Sequence, residues 1–287
     1  MTRVETIERV LDLRRIVASW RTDGSIGFVP TMGALHEGHE RLIEQARSEC
    51  ARVIVSIFVN PLQFDRADDL ERYPRTLDAD IAVCERLGVD LVFAPSVHEM
   101  YPTPPACIVD PGPLALHLCG AHRPGHFRGV ATVVLKLLNV VAADRAYFGE
   151  KDAQQLAIVR QMVADFNVPV SIVGVPTVRE ADGLAMSSRN RRLSPHERTL
   201  APRLYQALQA ANALIMTGAA DVDTVKTAAT QVIGTDAALR LEYLEIVDPQ
   251  RVEPVDTIAG TVLIAGALWV GGTRLIDNCL SVAPSQP

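Results

Sequence analysis

From residue 21 to about residue 175, short apolar runs alternate with stretches of helical periodicity. Ser25 to Val29 and Val53 to Val59 are nearly continuous in apolar character, as strands covered on both faces are. A helical stripe follows each: Leu42, Ile43, Ala46 and Cys50 after the first, from about His39, and Leu77, Ile81, Cys84 and Leu87 after the second, closed by Gly88. Leu91 to Ala94 is a further short strand. Val130, Val133, Val134, Leu137, Leu138 and Val141 form a clear helical stripe, and Arg145 to Phe148, Ala153 to Phe166 and Val170 to Val175 read as strand, helix and strand. Ahead of all this, Met1 to Arg21 reads as an amphipathic helix carrying Ile7, Val10, Leu11, Ile16 and Val17, and the Pro-rich segment 100–113 reads as irregular. The β-α-β-α order predicts an α/β fold with a doubly wound, parallel, Rossmann-like sheet.

The pattern changes after Pro176. A polar, basic loop from Arg179 to Arg192 precedes two helical stretches, about Pro195 to Met216 and Val222 to Ile233. Three strand-like runs follow: Leu239 to Val247, Thr261 to Val270 and Thr273 to Val282. This predicts a Rossmann-like domain over 1–176 and a smaller α+β domain over 177–287.

Composition narrows the class. The chain has 287 residues, 48% apolar and 22% charged, with a net charge of −6, which argues against general nucleic-acid binding. No apolar run reaches the length of a membrane span, and no signal-peptide core is visible. The five cysteines are scattered and never spaced as Cys-x-x-Cys, a usage that fits reduced thiols in the cytoplasm. Walker A, Gly-x-Gly-x-x-Gly and Gly-x-Ser-x-Gly sequences are absent. His117, His122 and His126 are irregularly spaced, and neither a cysteine pair nor a carboxylate completes a zinc site there.

Doubly wound sheets bind ligands beyond the carboxyl ends of their strands. That rule selects residues 31–39, 60–64 and 149–152. In the first, a strand, a turn with Gly33 and a helix place a helix N-terminus beside His36 and His39, three residues apart, where both rings can serve a phosphate. The same spacing occurs in helix-capping turns with two surface histidines. In Gly149-Glu150-Lys151-Asp152, Lys151 can meet a phosphate, although a charged surface turn has the same composition. Met186-Ser187-Ser188-Arg189, in a loop also holding Arg179, Arg191 and Arg192, has the makings of a polyphosphate clamp or of a solvated linker. Gln63 and Gln155 supply neutral amides suited to a hydroxy acid.

Six ordered motifs carry a family resemblance: residues 30–39, Ser56-Ile57-Phe58-Val59-Asn60-Pro61-Leu62-Gln63-Phe64, Tyr73-Pro74-Arg75-Thr76, residues 123–130, Phe148-Gly149-Glu150-Lys151-Asp152 and residues 182–190. Together they resemble the pantoate–β-alanine ligases (pantothenate synthetases), within the larger group of nucleotidyl-transferring enzymes marked by a His-x-Gly-His signature. Residues 274–278 resume the match weakly. Two positions depart from the family pattern: Glu40, where an apolar residue is usual, and Cys119, where an acidic one is common.

The resemblance implies an ATP-dependent condensation of pantoate with β-alanine to pantothenate, a coenzyme A precursor. The route is a pantoyl adenylate, and AMP and pyrophosphate are released. Carried over by position, ATP would be bound by Met32, Gly33, Ala34, Leu35, His36, Glu37, Gly38 and His39, by Gly149, Glu150, Lys151 and Asp152, by Val178, and by Met186, Ser187, Ser188 and Arg189. The catalytic residues would be His39, His36, Lys151, Ser187, Ser188 and Arg189. Pantoate and β-alanine would meet Gln63, Gln155, Met32, Asn60, Val133, Val134 and Phe148. Mg²⁺ is expected to enter with the ATP phosphates rather than on a protein metal site, and the family implies a homodimer. Two other readings stay open on the residues alone: a nucleotidylyltransferase with a phosphorylated acceptor, and a non-catalytic nucleotide sensor.

Overall fold

The computed structural model describes residues 4–22 and 24–284. The chain divides into two compact units. One holds the chain up to Pro111 together with Arg123–Glu150 and Ile158–Pro176. The other holds Gly112–His122, Lys151–Ala157 and everything from Thr177 onward.

In the first unit six strands form one sheet: β1 (Glu5–Ile7), β2 (Ile26–Thr31), β3 (Arg52–Ile57), β4 (Leu91–Phe93), β5 (Arg145–Gly149) and β6 (Ser171–Val175). Their order is β1-β4-β3-β2-β5-β6, and every pairing is parallel. The chain winds outward from β2 through β3 to β4, then returns to place β5 on the other side of β2. The winding reverses between β2 and β5, the point at which such sheets open a crevice for ligands. Ile26, Phe28, Val29, Val53, Ile54 and Val55 are fully buried, which is why these strands read as continuous apolar runs.

The N-terminal expectation needs correction. Met1 to Arg3 lie outside the described residues, and Glu5–Ile7 is an edge strand in register with Leu91–Phe93. The helix begins only at Val10, where its first N–H donates to Glu99 Oε1 at 2.9 Å. Three residues are too few to show strand alternation, so the apolar positions of the following helix dominated the pattern. The Pro-rich stretch is indeed irregular between the turn Val97–Met100 and the 3₁₀ turn Gly112–Ala115.

The second unit is built on an antiparallel sheet, β7 (Leu239–Val247), β8 (Thr261–Val270) and β9 (Thr273–Val282), with β8 central. Helices Arg203–Met216 and Val222–Ile233 bury Leu204, Leu208, Ile215 and Val225 in one core with Ile264 and Leu268 of β8. On the other face Leu263 and Ala265 cluster with Leu118, and Leu114, Ala153 and Ala157 pack against them. The expected single helix from Pro195 is two, Pro195–Leu200 and Arg203–Met216. Pro202 has no N–H to donate back along the helix, so the ladder breaks there.

Candidate functional site

The first group of candidate residues follows β2. Thr31 ends the strand; its hydroxyl donates to Ser56 O (2.7 Å) and accepts the Gly33 N–H (3.2 Å). Gly33 (φ +79°) and Ala34 (φ +51°) then both adopt the left-handed conformation, reversing the chain within two residues. Asp80, 3% exposed, accepts the N–H groups of Ala34 (3.0 Å) and Leu35 (2.8 Å). The helix Glu37–Glu49 starts two residues earlier than its apolar stripe suggests, because His36 is its N-cap. His36 Nδ1 accepts the Gly38 N–H (3.1 Å), and His39 Nδ1 accepts the His36 N–H at a longer 3.4 Å. The two rings lie 4.1 Å apart between centroids.

This arrangement has two chemical consequences. The backbone N–H groups of Gly33, Ala34, Leu35, His36 and Gly38 all meet acceptors within the turn or on Asp80, which holds its strand-turn-helix shape. Since a backbone N–H only donates, each imidazole accepts at Nδ1 and carries its neutral-state proton on Nε2. The turn thus fixes the tautomer of two adjacent donors. Glu40, the first departure from the family pattern, pairs with Arg86 at 2.8 Å and takes no part in the turn.

A second group lies in the same unit beyond β3. Asn60, fully buried, caps the 3₁₀ turn Pro61–Gln63. Its Nδ2 donates to Gln63 Oε1 (3.0 Å) and Gly129 O (3.1 Å), and its Oδ1 accepts the Tyr101 hydroxyl (3.0 Å). Burial pushes the Tyr101 phenol up to about 12, so it stays a neutral donor. Gln63 Nε2 lies 3.1 Å from Met32 Sδ, tying this amide to the residue that opens the histidine turn. The Gln63 carbonyl meets His126 Nδ1 at 2.7 Å and accepts from Arg123 Nη2 at 3.4 Å, while Arg123 pairs with Asp65 at 3.0 Å. Val133, Val134 and Phe148 are buried apolar residues of the same unit, and Gly149 ends β5.

Helix His126–Val141 approaches this loop so closely that a Cβ at Gly129 would lie 2.2 Å from Leu62 O. Gly129→Ala is therefore expected to destabilise the protein by about 1–3 kcal/mol or more, because backbone must yield. It should also displace Asn60 and Gln63. Denaturant unfolding followed by circular dichroism checks the first effect; an unchanged midpoint would mean that the loop accommodates the methyl group.

The remaining candidates, Glu150 apart, lie in the second unit. Glu150–Asp152 is a 3₁₀ turn, and Asn278 Nδ2 donates to Lys151 O at 2.8 Å. Gln155 is half-buried on helix Ala153–Asp165. The buried amide is its neighbour Gln154, bonded to Leu114 O (2.9 Å) and His117 O (2.8 Å). The basic loop is an ordered hairpin: Arg179 bridges Ala185, Met186 N–H donates to Val178 O (2.9 Å), and Gly183 turns at φ +92°. Ser187 Oγ accepts the Arg189 N–H (3.2 Å) and caps the 3₁₀ turn Ser188–Arg192. Lys151, Ser187 and Arg189 line one pocket together with Tyr205, Arg274 and Asp277. Two motifs more than thirty residues apart thus converge.

Not every basic side chain of this region is directed at that cavity. Arg179 makes two bonds to Asp277 (2.6 and 3.0 Å) and stacks on Tyr205 at 4.0 Å. Arg198 pairs with Glu180 and Asp182 and holds the Asp182 carboxyl below the usual carboxylate range. Cys119, the second departure, is buried with its Sγ 3.1 Å from the Tyr243 hydroxyl and 3.5 Å from Arg274 Nη2. Arg274 also pairs with Glu242 at 2.5 Å.

Asp80 is absent from the sequence reading, and Arg123, His126 and Arg274 stand there in the quoted motifs without an assigned role. Asp80 had one visible signal, an acid in the first turn of the helix after Thr76; its partners are 45 and 46 residues away in the chain. Among the described residues no group of three or more His, Cys, Asp or Glu side chains is gathered for a metal ion, and no helix is long and apolar enough to cross a membrane.

A parallel Rossmann-like sheet with a histidine-bearing turn after β2, at its switch point, defines an α/β protein of the nucleotide-handling kind. The profile of the family described as pantoate-beta-alanine ligase matches residues 5–280, and the chain belongs to that family. It is 53% identical over 275 residues to the pantothenate synthetase of Heliobacterium modesticaldum, covering 94% of this chain and 98% of that one. It is 56% identical over 259 residues to a bifunctional pantoate ligase/cytidylate kinase of Thermosynechococcus vestitus, covering 89% of this chain; it spans about half the length of that relative. Among solved structures, the pantothenate synthetase of Thermus thermophilus superposes with a TM-score of 0.89 at 48% identity, covering 98% of this chain and 100% of that one. The pantoate-beta-alanine ligase of Francisella tularensis, complexed with beta-gamma ATP and beta-alanine, gives 0.81 at 35% identity, covering 96% and 97%.

Proposed function

We propose that this protein condenses pantoate with β-alanine at the expense of ATP. Pantoate's carboxylate attacks the α-phosphorus of ATP, the bond to pyrophosphate breaks, and pantoyl adenylate forms. The amine of β-alanine then attacks the acyl carbon and expels AMP, leaving pantothenate. A carboxylate is a poor acyl donor; AMP as leaving group removes that obstacle.

The observation that carries the reading is the histidine turn. Two imidazoles whose Nδ1 atoms accept backbone N–H groups keep Nε2–H as the donor for charge developing on phosphate oxygens, usually the largest single source of catalysis in such reactions. His36 and His39 serve the phosphates, with His39 as proton donor to the leaving group. Met32 to His39, Gly149 to Asp152 and Val178 hold the nucleotide. Lys151, Ser187 and Arg189, which share a pocket, clamp the triphosphate together with Ser188 and Met186, as point charge, hydroxyls and guanidinium fork. Gln63 and Gln155 hold pantoate with Asn60 and Met32, and Val133, Val134 and Phe148 supply the apolar walls that its gem-dimethyl group needs. Mg²⁺ arrives with ATP. Relatives named pantothenate synthetase and the Francisella structure with beta-gamma ATP and beta-alanine support the ligase reading itself. The smaller domain from 177 carries the Met186 to Arg189 part of the clamp, and the protein works as a homodimer in the cytoplasm, a compartment that its five free cysteines suit.

The test is mass spectrometry of the products from ATP, Mg²⁺, pantoate and β-alanine. Pantothenate with AMP and pyrophosphate is the expected result. ADP with phosphate, or a dinucleotide product, would contradict the reading.

A further inference from the structure

We propose that Asp80 is the positioning residue for the histidine turn, acting on the reaction only through the geometry it imposes on His36 and His39. This inference rests on the function proposed above. Asp80 sits in the first turn of helix Leu77–Arg86, is 3% exposed and reaches the histidines only through the backbone before them. Its carboxylate is divided between two tasks. Oδ1 accepts the Leu35 N–H at 2.8 Å; Oδ2 accepts the Ala34 N–H at 3.0 Å and the Thr76 hydroxyl at 3.1 Å. Asp80 N–H in turn donates to Thr76 O, so the aspartate is fixed at both ends of its own residue.

The turn needs such an anchor. Ala34 holds a left-handed conformation that only glycine adopts readily, directly after left-handed Gly33. Two bonds to a charged acceptor, in a place water does not reach, offset that preference. The fit is close: a Cβ on Gly33 would lie 2.9 Å from Asp80 Oδ2 and 3.1 Å from Ile57 Cγ2. Leu35 directly precedes the His36 cap, so a rotation of the Leu35 peptide moves the cap, and with it both Nε2–H donors. Asparagine has the same shape but only one acceptor atom. In Asp80→Asn, an NH₂ group must face a backbone N–H, and one of the two clamp bonds is lost.

Asp80→Asn is tested by two independent readouts. Amide hydrogen exchange followed by mass spectrometry should show faster exchange in the peptide spanning 32–39, with β3 and β4 protected as in the wild type. Pantoate-dependent exchange of labelled pyrophosphate into ATP should fall in kcat by about a hundredfold, the scale for misplacing a reacting group by an ångström. KM for pantoate should change less than about twofold. The double variant Asp80→Asn/His39→Ala should be slower than His39→Ala by clearly less than the hundredfold that Asp80→Asn costs the wild type, since only His36 is then left for the turn to position. Multiplying effects in the double variant would overturn the proposal, as would amide exchange that rises evenly across the sheet with turnover per folded molecule retained. If Asp80→Asn fails to fold, Thr76→Val, which removes one of the three bonds, carries the same comparison with a smaller change in the same direction. Wild-type protein that exchanges no pyrophosphate would overturn the function proposed above, and the amide readout would still decide whether Asp80 holds the turn.

Discussion

His39→Ala is expected to lower the rate of pantoate adenylation by about two to three orders of magnitude, the usual consequence of removing one preorganised donor to a developing charge. The geometry makes this a clean substitution. The bond that His39 Nδ1 accepts from the His36 N–H is long, 3.4 Å, so the helix should persist without it. His36→Ala should cost a similar factor in rate but is less clean. His36 is the N-cap of Glu37–Glu49 and accepts the Gly38 N–H, and losing such a cap costs about 0.5–2 kcal/mol of stability. Single-turnover formation of adenylate, with melting followed by circular dichroism, separates the two effects. Near wild-type turnover in a folded His39→Ala protein would make the histidine pair a capping device and nothing more.

The second large effect separates nucleotide holding from substrate holding. Lys151→Ala should weaken ATP by roughly ten- to a hundredfold, the scale of about 1.5–3 kcal/mol for a lost hydrogen bond to a charged group, and slow adenylation as well. Lys151 shares its cavity with Ser187 and Arg189, so the remaining groups should keep residual affinity. Gln155→Ala should weaken pantoate by a similar factor and leave ATP binding to the free enzyme nearly intact. Calorimetric titration of each variant with ATP and with pantoate separately is the check. Equal loss of both ligands in folded Gln155→Ala protein would refute this division of labour.

How far the molecule can be read from its residues follows from where each signal is stored. β2 and β3 were legible because burial on both faces leaves only apolar residues, and Gly33 and His36 marked the turn between strand and helix. The antiparallel β7, β8 and β9 were legible for a similar reason, their length and apolar content setting them off from the helices before them. What was not legible depends on partners distant in the chain. The edge strand Glu5–Ile7 owes its conformation to Leu91–Phe93, and its own three residues carry no pattern. Asp80 reads as an ordinary helix-start acid until its bonds to Ala34 and Leu35 are known. The acceptors that meet the turn's backbone N–H groups, Thr31, Asp80 and the two imidazoles, emerge only from the structure. Arg179 likewise counted as one more loop cation until Asp277, 98 residues on, was found against it. Pro202 was visible in the sequence as a helix breaker, but the apolar stripe running past it hid the break.

Pyrophosphate exchange tests the central claim most directly. With pantoate, ATP and Mg²⁺ but without β-alanine, the protein should move labelled pyrophosphate into ATP, because adenylation is complete and reversible before any amine is needed. Exchange that appears only when β-alanine is added would contradict a separate pantoyl-adenylate step.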